Sequence, residues 1–400
     1  DSPIAPGVTQ VGAFKREVGL PVFHAARLLD VASARYAVRS GLLDMVGMTR
    51  AHIADPHLVR KLAAGQEERI RPCVGATHCM SAYRPACLHN AATGREAILP
   101  HHAAPAAAAR KVVIVGGGPA GLEAARISAE RGHRVILLEA NRDLGGQVRL
   151  GAQGSWRRDL IGIVQWREAE LERLGVEVRL NLYAEPDEIR AENPDVVIVA
   201  TGGMPDLGWL PGAELCTSVW DVLTKDVALR ESSIIYDGTG RHPALLCAEM
   251  AGEQGKATTL VSLDAYMGQD LVYGERFGWK RRMHQLRTPM LFEHHLRQVR
   301  RAGDELEAVF VNEVTLEETV LRARQVIVEC GTLPLDGLYR DLRQASVNDG
   351  VTDMDALIAG APQPIRAGQG GFELYRVGDA ISSRNVHAAI LDSLRLCSSL

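Results

Sequence analysis

Short apolar runs recur along the chain, separated by glycine turns and by stretches with helical spacing. Lys111–Val115 (KVVIV) is apolar after its first residue and has the length of a strand buried on both faces of a parallel sheet. Arg134–Leu138 and residues 176–180, 195–200, 233–236, 257–261 and 324–329 repeat that pattern. Helical stretches fall between them, one at 156–174 and one after each of two glycine-rich turns. Strand and helix alternating in this way predict an α/β fold with parallel sheets. Nearer the N-terminus lie two smaller strand–helix units. Residues 20–25 (LPVFHA) read as a strand and 30–40 as a helix stopped by Gly41. Residues 43–48 read as a second strand, followed by a helix over 55–64 with Asp55 as N-cap and Pro56 at its first position. Residues 97–109 (AILPHHAAPAAAA) read as an extended Ala/Pro linker.

The turn after Lys111–Val115 carries chemistry. Gly116, Gly118 and Gly121 form GxGxxG between a strand and a helix. The first glycine makes the tight turn, the second lets the backbone approach a pyrophosphate, and the third lets helix and strand pack closely. The helix start at Pro119-Ala120 offers free N–H groups to phosphate from Ala120 onward, proline having none of its own. Glu139 ends the next strand about 20 residues on, where a carboxylate accepts from ribose hydroxyls and disfavours a 2′-phosphate. Residues 230–262 repeat the theme in altered form. Their turn is Asp237-Gly238-Thr239-Gly240-Arg241-His242-Pro243, with proline at the third glycine position and no acid or basic pair at Val261-Ser262. This predicts a Rossmann-shaped unit without a nucleotide.

Four hundred residues suggest two or three domains, and 46% apolar residues suffice for sizeable cores. A net charge of −4 gives no reason to expect nucleic acid or an acidic membrane as partner. No apolar run approaches the ~18 residues of a membrane span, and DSPIAPGVTQ holds no targeting pattern. Seven cysteines are an odd number, and Cys73, Cys79 and Cys87 cluster, which fits a reducing compartment and a metal site better than disulfides. A cytoplasmic location is therefore expected. On ligand count alone the metal is iron–sulfur or zinc.

Several segments together resemble one family. Gly145-Gly146-Gln147 and Ala200-Thr201-Gly202-Gly203 resemble the FAD-dependent disulfide-reductase-like flavoproteins, which implies FAD, or its ADP half. PVFHAARLLD and LDMVGMTRAHIADPHL resemble the last two strands of the FMN-binding (β/α)8 barrel of old yellow enzyme relatives. There the loops after these strands hold the FMN phosphate; the matching positions are Ala26-Arg27 and Thr49-Arg50. RPCVGATHCMSAYRPACLHNAATGRE (71–96) resembles the iron–sulfur segment of the trimethylamine dehydrogenase and 2,4-dienoyl-CoA reductase family. That implies a 4Fe-4S cluster on Cys73, Cys79 and Cys87. Ala76 stands where the family has a further cysteine, and the fourth ligand stays open among His78, His89, a carboxylate and water. YRVGDA and SSRNVHAAILD resemble the flavin-facing end of such FAD domains, which implies roles for Gly378, Asp379, Asn385, Val386 and His387. The same resemblance extends the first turn's cofactor contacts to Ala140, Gly146 and Gln147.

The implied architecture is a barrel end (1–70), an iron–sulfur segment (71–96), a linker (97–109), and an FAD or ADP domain (110–229 and 325–400). Into the last is inserted a degenerate NAD(P)-type domain (230–324). Two strand–helix units cannot close an eight-stranded barrel, so the chain is expected to be the C-terminal part of a longer protein or to meet a second chain. The wording most resembles the N-methylproline (stachydrine) demethylase branch. That implies oxidative N-demethylation of a small methylated amine or amino acid at FMN, with electrons passing through the cluster to an acceptor such as an electron-transfer flavoprotein. Two alternatives stand beside it, an NAD(P)H-dependent 2,4-dienoyl-CoA-type reductase and an electron-transfer subunit partnered with a catalytic chain. A homo-oligomer is expected, and no catalytic residue is assigned.

Overall fold

The computed structural model describes residues 5, 7–25, 27–81, 85–364 and 370–400. The N-terminal part opens with a helix, Val8–Glu17, that the sequence pattern did not announce. Strands Phe23–His24 and Met45–Val46 then pair in parallel across helix Val31–Arg39, whose N-cap Asp30 accepts the Ser33 N–H at 2.7 Å. Phe23 and Met45 are register partners and remain 63% and 57% exposed.

The helix expected over 55–64 is shortened to Leu58–Ala63, and a separate helix precedes it. Thr49–Ala54 ends at Asp55, and Leu58–Ala63 starts after His57. Asp55 is therefore a C-cap and not an N-cap, for a reason outside its own segment. Its buried carboxylate accepts from the Arg71 N–H at 2.8 Å and from Lys61 Nζ at 2.6 Å, tying the bend to the start of the cysteine segment.

The main sheet has five parallel strands in the order Glu373–Arg376, Val196–Val199, Lys111–Val115, Arg134–Leu138, Glu177–Arg179. Its central strands are buried on both faces, as their continuous apolar runs require. Helices Pro119–Glu130 and Val386–Cys397 pack together on it, and the buried Ser393 hydroxyl donates to the Ala120 carbonyl at 2.7 Å.

A second parallel sheet runs Met290–Leu291, Ala257–Ser262, Ser232–Asp237, Gln325–Glu329, Thr217–Ser218. The antiparallel strands His294–Ala302, Glu305–Asn312 and Glu318–Ala323 form a separate three-stranded sheet. Gln325–Glu329, read as the return to the FAD domain, belongs to this second sheet, as does Thr217–Ser218. The inserted unit thus extends beyond 230–324 at both ends. An apolar strand pattern does not encode which sheet the strand joins; its register neighbours Ile234 and Ile235 decide that. Both chain crossings between the units run through one antiparallel ribbon, Gly203–Pro205 with Thr332–Pro334. Among the described residues, no helix is long and apolar enough to cross a membrane.

Candidate functional site

The three glycines of the first turn are distinguished by what surrounds them. Gly116 has φ +104°, and a Cβ there would lie 2.4 Å from the Ala200 carbonyl oxygen. A Cβ on Gly121 would lie 1.8 Å from the Gly116 carbonyl oxygen. A Cβ on Gly118 would meet nothing within 4 Å. So the first and third glycines are held by packing, while the second faces open space, as close approach by a ligand phosphate requires. Glu139 ends its strand beside this turn. One carboxylate oxygen accepts the Gly117 N–H at 2.5 Å and the other the Asn141 N–H at 2.7 Å. Ala140 follows, exposed.

Further predicted positions converge on the same turn. The Gly145 N–H donates to the Gly117 carbonyl at 2.8 Å, and a Cβ on Gly146 would lie 3.3 Å from the Gly118 Cα. Thr201 backs Gly116, and the Gly202 carbonyl accepts from the Leu335 N–H at 3.0 Å. A Cβ on Gly378, at φ +66°, would lie 2.8 Å from the Cβ of Ala120, the second residue of helix Pro119–Glu130. Asp379 accepts from Gln147 Nε2 at 3.2 Å and from the Arg384 N–H at 3.2 Å; burial raises its pKa. Asn385 caps helix Val386–Cys397 through the Ala388 N–H.

His387, on the first turn of that helix, reaches the cysteine segment. Its Nδ1 lies 2.9 Å from the Cys87 carbonyl oxygen, and its ring centroid is 4.8 Å from that of His78. Burial pushes its pKa down to about 4, so the ring is neutral and Nδ1 is the donor. Its buried Nε2 has no partner among the described residues. Burial raises the thiols of Cys73 and Cys87, and each also feels the charge of Cys79. Arg50 and Arg71 act in the opposite direction, Arg50 on Cys73 and Arg71 on Cys87. Among the described residues, no three His, Cys, Asp or Glu side chains converge closely enough for a single metal ion. A multi-iron cluster, bound by one thiolate per iron, does not require such convergence.

Behind the cysteines lies a buried charge network that sequence inspection missed. Glu123 pairs with Arg126 at 2.7 Å and with Arg167 at 2.8 Å. Arg167 also donates to the His89 carbonyl at 3.1 Å. The Arg71 guanidinium lies 4.2 Å from the Trp166 ring centroid, and burial lowers its pKa to about 10.

In the N-terminal part, Arg27 takes a left-handed backbone at φ +53°, and its buried Nε has no partner among the described residues. Thr49 and Arg50 open helix Thr49–Ala54. Ala26 lies outside the described residues.

The second glycine turn is built differently. The fully buried Asp237 turns its Oδ1 back to accept the Thr239 N–H at 3.1 Å and the Gly240 N–H at 2.9 Å. A Cβ on Gly240 would lie 2.3 Å from Asp264 Oδ2. Asp264, two residues past Val261-Ser262, thus brings its carboxylate up to this turn.

Comparison with known proteins agrees with the first turn. Residues 111–175 match the family model of FAD dependent oxidoreductases. The chain is 51% identical over 401 residues to a multifunctional alkene reductase/demethylase of Caballeronia cordobensis, covering 100% of this chain and 59% of the relative. It is 44% identical to a probable N-methylproline demethylase of Rhizobium meliloti, covering 98% of this chain and 59% of the relative. The solved complex of a 2-naphthoyl-CoA reductase with 2-naphthoyl-CoA superposes with a TM-score of 0.84 at 27% identity, over 100% of this chain and 57% of that one. The chain thus spans about 59% of the length of these two curated relatives.

Proposed function

We propose that this chain forms part of a flavin-dependent oxidoreductase that removes a methyl group from a small N-methylated amino acid or amine. The observation that carries this reading is the junction at His387. There, the helix beside the open glycine cradle is hydrogen-bonded to the backbone of the cysteine segment. Such a junction suits a protein that passes electrons between two centres, and the likeness to demethylases supplies the substrate class.

In this reading Gly116, Gly118, Gly121, Pro119 and Ala120 cradle the pyrophosphate of FAD or ADP, and Glu139 takes the ribose. Gly146, Gln147, Thr201, Asp379 and the helix starting at Val386 surround the remainder. Cys73, Cys79 and Cys87 hold a 4Fe-4S cluster, with Arg71 and Arg167 offsetting its negative charge from behind. Arg27, Thr49 and Arg50 close on the phosphate of FMN at the end of a (β/α)8 barrel. FMN, when bound, supplies the oxidation of the N–CH3 carbon. The substrate loses two electrons and two protons in all, and water converts the resulting iminium to formaldehyde and the demethylated amine. The electrons leave to an external acceptor, such as an electron-transfer flavoprotein. A second reading, reduction of an activated alkene, is favoured by the double name of the 51% identical relative.

Anaerobic mixing of the flavin-loaded protein with N-methylproline or N,N-dimethylglycine tests the first reading. Bleaching of the flavin with one formaldehyde per two electrons is the expected result. Absence of bleaching by either amine, with reoxidation of the dithionite-reduced flavin by an enoate, would replace it with the second.

A further inference from the structure

The two glycine turns occupy equivalent places, each following a central strand of a parallel sheet and opening a helix. In sequence Gly116, Gly118 and Gly121 align with Gly238, Gly240 and Pro243, although Gly118 is the N-cap of its helix and Gly240 lies one residue before the N-cap Arg241. We propose that Asp237 and Asp264 are the chain's own anions in the pyrophosphate nest of the second unit, and that these two residues close it to NAD(P)H. The inference rests on the reading in which electrons leave to an external acceptor, and it names the residues responsible.

Three observations carry it. The first is space. Above Gly118 there is nothing within 4 Å of an added Cβ, whereas above Gly240 the Asp264 carboxylate stands at 2.3 Å. A dinucleotide phosphate approaching the second turn would have to displace that carboxylate. The second is the donors. A Rossmann turn binds pyrophosphate through backbone N–H groups at the helix start. Here the N–H groups of Thr239 and Gly240, in the turn ahead of helix His242–Glu253, are both engaged by Asp237 Oδ1, which also takes the Thr239 hydroxyl at 3.3 Å, whereas at the first turn Glu139 takes the Gly117 N–H alone. The third is charge. Glu329 is the register partner of Asp237 on the next strand, and Asp270 pairs with Arg241 at 3.2 Å, so that arginine is already engaged. A pyrophosphate would enter among carboxylates. Bulk adds to this: the His242 ring is fixed by the Trp279 Nε1–H at 3.0 Å, and Pro243 stands where the helix would need glycine.

The test is a calorimetric titration of the flavin-loaded protein with NADH, after full reduction with dithionite so that no electrons flow. Asp237→Ala/Asp264→Ala is compared with the parent. The double variant is expected to gain one NADH equivalent that inorganic pyrophosphate displaces. A double variant that keeps its flavins and a cooperative melt, yet binds the same number of NADH molecules as the parent, overturns the proposal. Should that variant fail to fold, Asp237→Asn/Asp264→Ala keeps an acceptor for the turn N–H groups, removes both charges and clears the space over Gly240. It must then gain the NADH equivalent that the parent lacks; no gain overturns the proposal equally. Failure of the demethylase reading appears elsewhere, as absence of bleaching by methylated amines, and leaves this titration interpretable.

Discussion

Asp237 and Glu329 end neighbouring parallel strands and face each other in register. Burial pushes Asp237 from 3.8 up to about 6 and Glu329 from 4.5 up to about 7, and the charge of Asp237 adds to the rise at Glu329. Asp264 presses in the same sense on Asp237, while the turn N–H groups oppose the rise at Asp237 and the Gly331 N–H and Arg241 oppose it at Glu329. Both folded-state values lie above the ordinary ones, so the folded protein holds protons that the unfolded chain has released. Stability is therefore greatest at low pH within this window and falls as the pH rises from about 4 to about 7. A shift of about two units corresponds to about 3 kcal/mol. Asp237→Asn and Glu329→Gln remove one such group each. Each is expected to raise the melting temperature at pH 8 and to leave it nearly unchanged at pH 4. Equal melting shifts at both pH values would show that the two carboxylates ionise freely in the folded state.

At the scale of elements, the first turn separates two kinds of glycine that look alike in sequence. Gly121→Ala forces a methyl within 1.8 Å of a backbone oxygen, so helix Pro119–Glu130 must move off its strand. Overpacking of this kind costs roughly 1–3 kcal/mol. Gly118 has φ −70° and open space, so Gly118→Ala is expected to leave the melting of the flavin-free protein unchanged while weakening FAD binding. Equal loss of stability in both variants would contradict the division of labour. The glycine spacing, the strand before it and Glu139 were legible because each is a local requirement of one turn. Sheet membership was not: Gln325–Glu329 carries the same apolar run whichever sheet it joins. The bend at Asp55 was hidden for a related reason, since its partner Arg71 is 16 residues away in the chain. The second turn was legible in outline, but its filling by Asp264 depends on how the loop after Ala257–Ser262 folds back onto Gly240.

At the scale of the molecule, one buried carboxylate joins the cysteine segment to the main sheet. Glu123, on helix Pro119–Glu130, faces Arg126 of its own helix and Arg167 of helix Gly162–Arg173. Arg167 reaches the backbone at His89, and Arg71 stacks on Trp166 beside it. Three guanidiniums thus share one region, where Glu123 pairs with two of them and Glu130 also pairs with Arg126 at 2.9 Å; the pKa of Glu123 falls below the usual carboxylate range because Arg126 and Arg167 outweigh the cost of burying it. Breaking a buried pair by neutralising one partner leaves an uncompensated charge, which costs about 3–5 kcal/mol. Glu123→Gln is therefore expected to lower the denaturation midpoint strongly, and to do so through mutual repulsion of Arg71, Arg126 and Arg167. Adding Arg167→Met relieves that repulsion, so the double variant should recover part of the loss in chemical denaturation, although it has lost two charged groups. Additive losses would show that Arg167 acts only through its bond to the His89 carbonyl. Because that bond anchors the segment carrying Cys87, Glu123→Gln should also release bound iron at a denaturant concentration below that of global unfolding, while Gly121→Ala should lose flavin first.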